Sequence, residues 1–288
     1  MARGPLLNTL NVDLRRTAFA GTVALIWETL ITLDDEVRFI WVKPNTAWIK
    51  HAFLFLRYFP LAIHICNRTL SELVYDDPAR LNLSFLRGWY LTQVVVAHMV
   101  MSGVELVMMA RVYALYNNSR LVARTFVLLW ILETIVVFIG LAVTIHEPFE
   151  PNLFVTRTPT SFVYLGISTL VSQAVILGLT FAKYLQGEWQ GTALIKLLMR
   201  DGVFVYFIFF ASSLTAAVYS AEKFDFGMAE YSWLLTLQSA VGTRLILNMQ
   251  RFPERHDDND GIPTSQRTSV MELTTLDAPA LYDMDDEA

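Results

Sequence analysis

The stretch VARTFVLLWILETIVVFIGLAVTI, Val122–Ile145, decides the class of fold. It carries two charged side chains, Arg124 near one end and Glu133 near the middle, and is otherwise almost wholly Leu, Ile, Val, Phe and other apolar residues. A helix of this length rises about 36 Å, enough to cross the hydrocarbon of a bilayer. Composition agrees. Of 288 residues 54% are hydrophobic and 17% charged, and the mean hydropathy is +0.42, whereas a soluble domain carries about 25% charged residues. The chain therefore reads as a polytopic membrane protein whose first partner is the lipid bilayer.

Five further stretches reach a spanning length: Ile49–Cys66, Trp89–Tyr116, Thr160–Tyr184, Gly202–Ser220 and Met228–Asn248. Ala18–Leu33 is shorter, rising only about 24 Å, and contains Glu28. Started near Leu14 it nearly spans. The expectation is an all-α bundle of seven transmembrane helices over residues 1–250, up-and-down and receptor-like. In the six-span alternative the first segment lies along the interface. That segment ends in Leu33-Asp34-Asp35-Glu36 with no small-residue cleavage site, so it reads as a retained helix and not a signal peptide.

Charge gives an orientation. Grouped for seven helices, the N-terminus and the even-numbered loops carry eight basic residues, against twelve on the other side. Lys and Arg accumulate in the cytoplasm, which places the N-terminus outside, although Arg3, Arg15 and Arg16 oppose this. Asn82-Leu83-Ser84 and Asn67-Arg68-Thr69 are glycosylation sequons in the loop then facing outward. Asn82 is the better acceptor, because Asn67 lies almost at a helix end. Either the plasma membrane or an endomembrane fits. Residues 251–288 hold ten acids against three arginines and lack a periodic apolar face, so an acidic, disordered cytoplasmic tail is expected. The remaining 250 residues balance at +2, which leaves no basic domain for nucleic acid.

Ionisable side chains within spans are costly in lipid and turn toward the bundle interior or a wet cavity. Glu28, Arg57, His64, His98, Glu105 and Glu133 are such residues, joined by Gln93, Gln173 and Gln238. Glu28 and Arg57 lie in adjacent helices and could form a structural clamp. His98 and Glu105 share one helix face two turns apart, too far for a direct bond unless another group intervenes. The histidines are scattered, Cys66 is the sole cysteine, and no Gly-rich phosphate loop occurs. No catalytic or metal residues are therefore singled out, no cofactor is expected, and the chain reads as a non-enzyme. The last segment also has no lysine for a retinal Schiff base.

The run WETLITLDDEVRFIW, Trp27–Trp41, followed by FLFLRY, Phe53–Tyr58, resembles the N-terminal domain of unknown function 6533 (DUF6533), found in multi-pass membrane proteins of mushroom-forming (basidiomycete) fungi. The resemblance covers about residues 17–62. RVYALY at Arg111–Tyr116, RDG at Arg200–Gly202 and RLILN at Arg244–Asn248 resemble later parts of such proteins. Trp27-Glu28 stands where the family commonly has Tyr-Asp, and Leu56 where it has Asn. The resemblance implies a multi-helix membrane protein and transfers no activity. The functional expectation is a receptor-like or sensory protein with a cytoplasmic signalling partner, engaged through loops bearing Arg120, Arg124, Lys196 and Arg200. A small-molecule or ion transporter and a membrane scaffold are the alternatives.

Overall fold

The computed structural model describes residues 3–76, 82–116, 118–146, 160–185, 207–215, 217–218 and 227–251. The long elements are α1 (Arg3–Ile31), the single turn α2 (Leu33–Glu36) continued by a π-helical turn (Val37–Trp41), α3 (Trp48–Asp76), α4 (Leu83–Leu115), α5 (Arg120–Ile145), α6 (Ser161–Leu185) and α7 (Gly227–Arg251). Residues 207–215 are also helical. The expected disordered tail from Phe252 onward lies outside the described residues.

Local chemistry sets several ends. Asn82 caps α4, its Oδ1 accepting the Ser84 backbone N–H at 3.0 Å, which satisfies one of the free N–H groups of the first turn. Between α4 and α5 the chain turns through Asn118 at φ 58°, a left-handed conformation that Asn tolerates better than most residues. Where α5 hands over to α6, Thr144 Oγ1 accepts the Ser161 N–H at 3.0 Å.

Each long helix divides into an inward and an outward stripe. On α5 the buried residues are Val122, Phe126, Glu133, Val137, Gly140 and Thr144, recurring at helical spacing. Val127, Leu128, Ile131, Leu132, Ile135, Phe138 and Ile139 are exposed. So broad an apolar surface would aggregate in water and is stable against lipid. Gly166 lets α6 approach closely, since a Cβ there would lie 2.6 Å from that of Ala217. At Gly242 on α7 a Cβ would meet Val104 Cγ2 at 2.9 Å and Leu56 Cδ1 at 3.0 Å. Small residues at such crossings are how helices pack tightly within a membrane.

The expectation of seven spans is corrected. Among the described residues four helices are long and apolar enough to cross a membrane, within α3, α4, α5 and α6. A fifth span results if Arg15–Ile31 and Leu33–Trp41, bent by 53° at their junction, count as one. Two of the seven proposed segments account for the difference. Gly202–Ser220 lies partly outside the described residues. Met228–Asn248 is helical, as α7, but is not among the helices apolar enough to span. Its Ser232, Thr236, Ser239 and Thr243 are all buried, because α7 packs against α1, α3 and α4 and turns its polar stripe toward protein. Without seven spans, the seven-helix grouping of loops that placed the N-terminus outside loses its basis, as does the receptor-like up-and-down topology.

The first segment also differs from its expected ending. The acidic run Asp34-Asp35-Glu36 continues as helix past the bend at Thr32. That continuation carries Glu36 inward until it is fully buried.

Pro60 sits inside α3 and has no N–H to donate to the Leu56 carbonyl one turn earlier. Ser239 Oγ of α7 donates to that carbonyl instead, at 2.6 Å. The freed acceptor is thereby satisfied from a neighbouring helix, as a non-aqueous interior demands.

Candidate functional site

Three polar clusters lie inside the bundle, and the sequence-predicted residues are divided among them. The first is built around Arg57 of α3, only 2% exposed. Its Nε lies 2.9 Å from Glu36 Oε2, its Nη1 donates to Thr32 Oγ1 at 2.9 Å, and its Nη2 donates to the Thr29 carbonyl. That carbonyl belongs to the last turn of α1, where backbone acceptors have no partner within the helix, so the guanidinium caps α1 at its bend. Tyr58 Oη and Trp41 Nε1 donate to Glu36 Oε1 at 2.9 and 3.1 Å. The expected Glu28–Arg57 clamp is replaced by Glu36–Arg57. Glu28 instead accepts from Arg244 of α7, Nε to Oε1 at 2.5 Å and Nη2 to Oε2 at 2.7 Å, in the forked geometry that suits guanidinium to carboxylate.

The second cluster is centred on His64 of α3. Thr22 and Ser232 place their hydroxyl oxygens 3.1 and 3.2 Å from Nδ1, and Thr236 places its own 3.2 Å from Nε2. The imidazole thus joins α1, α3 and α7. A cavity of about 20 Å³ beside it, bordered by Arg15, Asn67, Arg68 and Tyr231, has room for about one water. Asn67 is buried here and accepts from Trp89 Nε1 at 2.7 Å, whereas Asn82 is exposed, as glycosylation requires.

The third cluster brings His98 and Glu105 of α4 together with Glu133 of α5 and a polar face of α6. Glu133 is the intervening group between the other two. Its Oε1 lies 3.7 Å from His98 Nδ1 and accepts from Thr169 at 3.1 Å, while its Oε2 accepts from Ser172 at 2.7 Å. His98 Nε2 is 3.2 Å from Thr134 Oγ1. Glu105 is fully buried and adjoins Glu133 and Gln173. Both neighbours are within side-chain hydrogen-bonding reach of its carboxyl. Gln173 Nε2 donates to Ser213 Oγ at 3.0 Å, which ties the 207–215 helix to the layer. Acidic side chains are costly inside a membrane bundle, so two of them buried side by side where α4, α5 and α6 meet mark this cluster as the candidate site. Among the described residues no group of three or more His, Cys, Asp or Glu side chains is disposed to hold a metal ion.

Sequence reasoning missed Glu36, Thr29 and Thr32 in the first cluster and Thr169, Ser172 and Ser213 in the third. A signal was present. Ser168, Thr169, Ser172 and Gln173 of α6, and Ser232, Thr236, Ser239 and Thr243 of α7, recur every three or four residues and so mark one face of each helix. Read as a stripe, they identify which side of an apolar helix faces protein.

No curated protein and no solved structure matches the chain. One family model does, that of the Family of unknown function (DUF6533), over residues 17–62. These bounds enclose the bend between α1 and α2, the π-helical turn and the first half of α3, so every residue named around Arg57 lies within them. The structure and this match together identify an integral, multi-pass helical membrane protein whose first bend is similar to the DUF6533 family model.

Proposed function

We propose that the protein is a sensory, receptor-like membrane protein whose interior polar layer is its switching element. The observation that carries this reading is the fully buried Glu105 carboxyl, held against a second buried acid, Glu133, and Gln173 at the junction of three helices. Two buried acids in contact can exchange protons and hydrogen-bond partners between them, and a helix junction with two such arrangements is how a bundle converts a local event into a change at its ends. Arg120 and Arg124, exposed at the start of α5, offer a basic surface for a signalling partner at one end of the helix that carries Glu133, about 14–20 Å along its axis. The reading is non-enzymatic: it takes the carboxyl groups, the amide, the hydroxyls and the His98 imidazole of the cluster as parts of a switching layer. The lineage that goes with the resemblance, multi-pass membrane proteins of basidiomycete fungi, belongs to the same proposal.

Ion transport is the second reading, favoured by two acidic side chains on adjacent helices within the spans. Purified protein reconstituted alone into sodium-loaded vesicles separates the two. The sensory reading expects release no faster than from protein-free vesicles. Steady release that Glu105→Gln or Glu133→Gln removes would overturn it in favour of transport. Proximity labelling in cells supplies the positive arm. A set of neighbouring proteins should be labelled by the wild type and lost on Arg120→Glu with Arg124→Glu, and an unchanged set counts against a partner at that surface.

A further inference from the structure

We propose that the pocket beside His64 is a binding site for the phosphate headgroup of an anionic phospholipid, seated between α1 and α3 at one edge of the membrane. The inference does not depend on the sensory reading. Arg15 of α1 and Arg68 of α3 border the pocket, and both donate to the single carboxylate of Glu72, Arg68 Nη2 to Oε1 at 2.5 Å and Arg15 Nη2 to Oε2. Two guanidiniums around one carboxylate leave a positive charge over, and none of the described residues bordering the pocket is acidic. Asn67 and Tyr231, both buried, add an amide and a phenol to its wall. The cavity of about 20 Å³ holds about one water, and a single phosphate oxygen is of that size. The headgroup therefore sits at the mouth and sends one oxygen inward.

Chemistry and depth select a lipid. Guanidinium forks match phosphate oxygens, and basic pockets between membrane helices hold lipid headgroups. The apolar stretch of α1 begins at Arg15 and that of α3 ends at Glu72, so the two arginines lie where hydrocarbon gives way to headgroups. Trp89, near the start of α4, donates to Asn67 at 2.7 Å and marks the same level, since indoles gather at that boundary. From the mouth an apolar track runs toward the membrane centre. The Arg68 guanidinium stands 5.2 Å from the centroid of the Phe19 ring. Phe19, Val23 and Ile26 are exposed on α1 at helical spacing, and Ile65 is exposed on α3 one turn from Arg68. An acyl chain along this track keeps its headgroup over the pocket, an anchorage that a soluble phosphate lacks. A zwitterionic headgroup brings an ammonium toward the guanidiniums and gains less.

The test uses the full chain in lipid nanodiscs, comparing its thermal unfolding in phosphatidylcholine alone and in phosphatidylcholine mixed with phosphatidylglycerol of the same acyl chains. The proposal expects the unfolding temperature to rise by a few degrees with phosphatidylglycerol, saturably, as ligand linkage requires. Arg68→Gln should remove most of that rise. Arg16→Gln deletes the same charge from an exposed position outside the pocket and should keep it. Phe19→Ala, at a half-exposed position, should also reduce the rise, and it reads the same contact if Arg68→Gln gives no folded protein. Equal unfolding temperatures in the two lipids for the wild type overturn the proposal whether or not the variants fold. A loss in Arg16→Gln equal to that in Arg68→Gln reduces the effect to surface charge and overturns it. So does a rise of the same size from inorganic phosphate in phosphatidylcholine alone, which makes the occupant a free anion. A full rise retained by Arg68→Gln and Phe19→Ala places the lipid elsewhere and has the same consequence.

Discussion

At the scale of residues, Arg57 is the group on which the first bend depends. It joins α3 to the end of α1 through Thr29 and Thr32 and to the segment after the bend through Glu36. Breaking a buried ion pair by removing one partner typically costs 3–5 kcal/mol, because the survivor is left charged and unpaired. Glu36→Gln and Arg57→Gln should each lower stability by about that amount in thermal unfolding, and the double variant should lose clearly less than their sum. A cycle between Glu28→Gln and Arg57→Gln should be close to additive, because Glu28 is held by Arg244 on another helix. The sequence pointed to Arg57 as a clamp residue and chose the wrong acid. Counting Leu33 as the end of the first helix put Asp34-Asp35-Glu36 in a loop, whereas their continuation as helix beyond a bend brings Glu36 under the guanidinium. His98, Glu105 and Glu133 were legible because an ionisable residue in an apolar run stands out by itself. Their partners Thr169 and Ser172 were not, since a hydroxyl lowers the hydropathy of a window only slightly.

At the scale of elements, α7 is the instructive helix. Hydropathy treats every side of a helix as lipid-facing, so one enclosed by α1, α3 and α4 can carry Ser, Thr and Gln inward and still belong to a membrane bundle. That is why it looked like a span in sequence yet is not apolar enough to count as one. Its contact with α3 gives a sharp prediction. Ser239→Ala leaves the Leu56 carbonyl without its donor and should cost about 1–3 kcal/mol. Adding Pro60→Ala restores a backbone N–H one turn after Leu56, so it should recover part of the loss. Failure of the second change to recover any stability would mean that the Ser239 contact does not offset the proline. At the crossing of α6 with residue 217, Gly166→Ala should destabilise by roughly 1–3 kcal/mol. The added carbon would meet the Ala217 backbone, with Cα 3.0 Å away, as well as its Cβ, and backbone cannot rotate aside as a long side chain can. Unfolding temperatures of the two proteins in the same lipid decide it.

At the scale of the whole molecule, a bundle with an apolar exterior surrounds three polar knots, at Arg57, His64 and Glu105–Glu133. The membrane class was readable from composition and from Val122–Ile145 alone, because burying backbone in lipid imposes a long apolar run that few other structures need. The number of crossings was not, because it depends on which helices face lipid, and that is decided by packing. The central claim is that the outward stripe of α5 lies in hydrocarbon while the polar residues face inward. Nitroxide labels at Leu128, Ile135 and Phe138, placed one at a time on a Cys66→Ser background in lipid vesicles, test it most directly. Frequent collisions with oxygen and few with a water-soluble nickel chelate at all three positions are the predicted result, whereas nickel access typical of a water-exposed surface at these positions would contradict it.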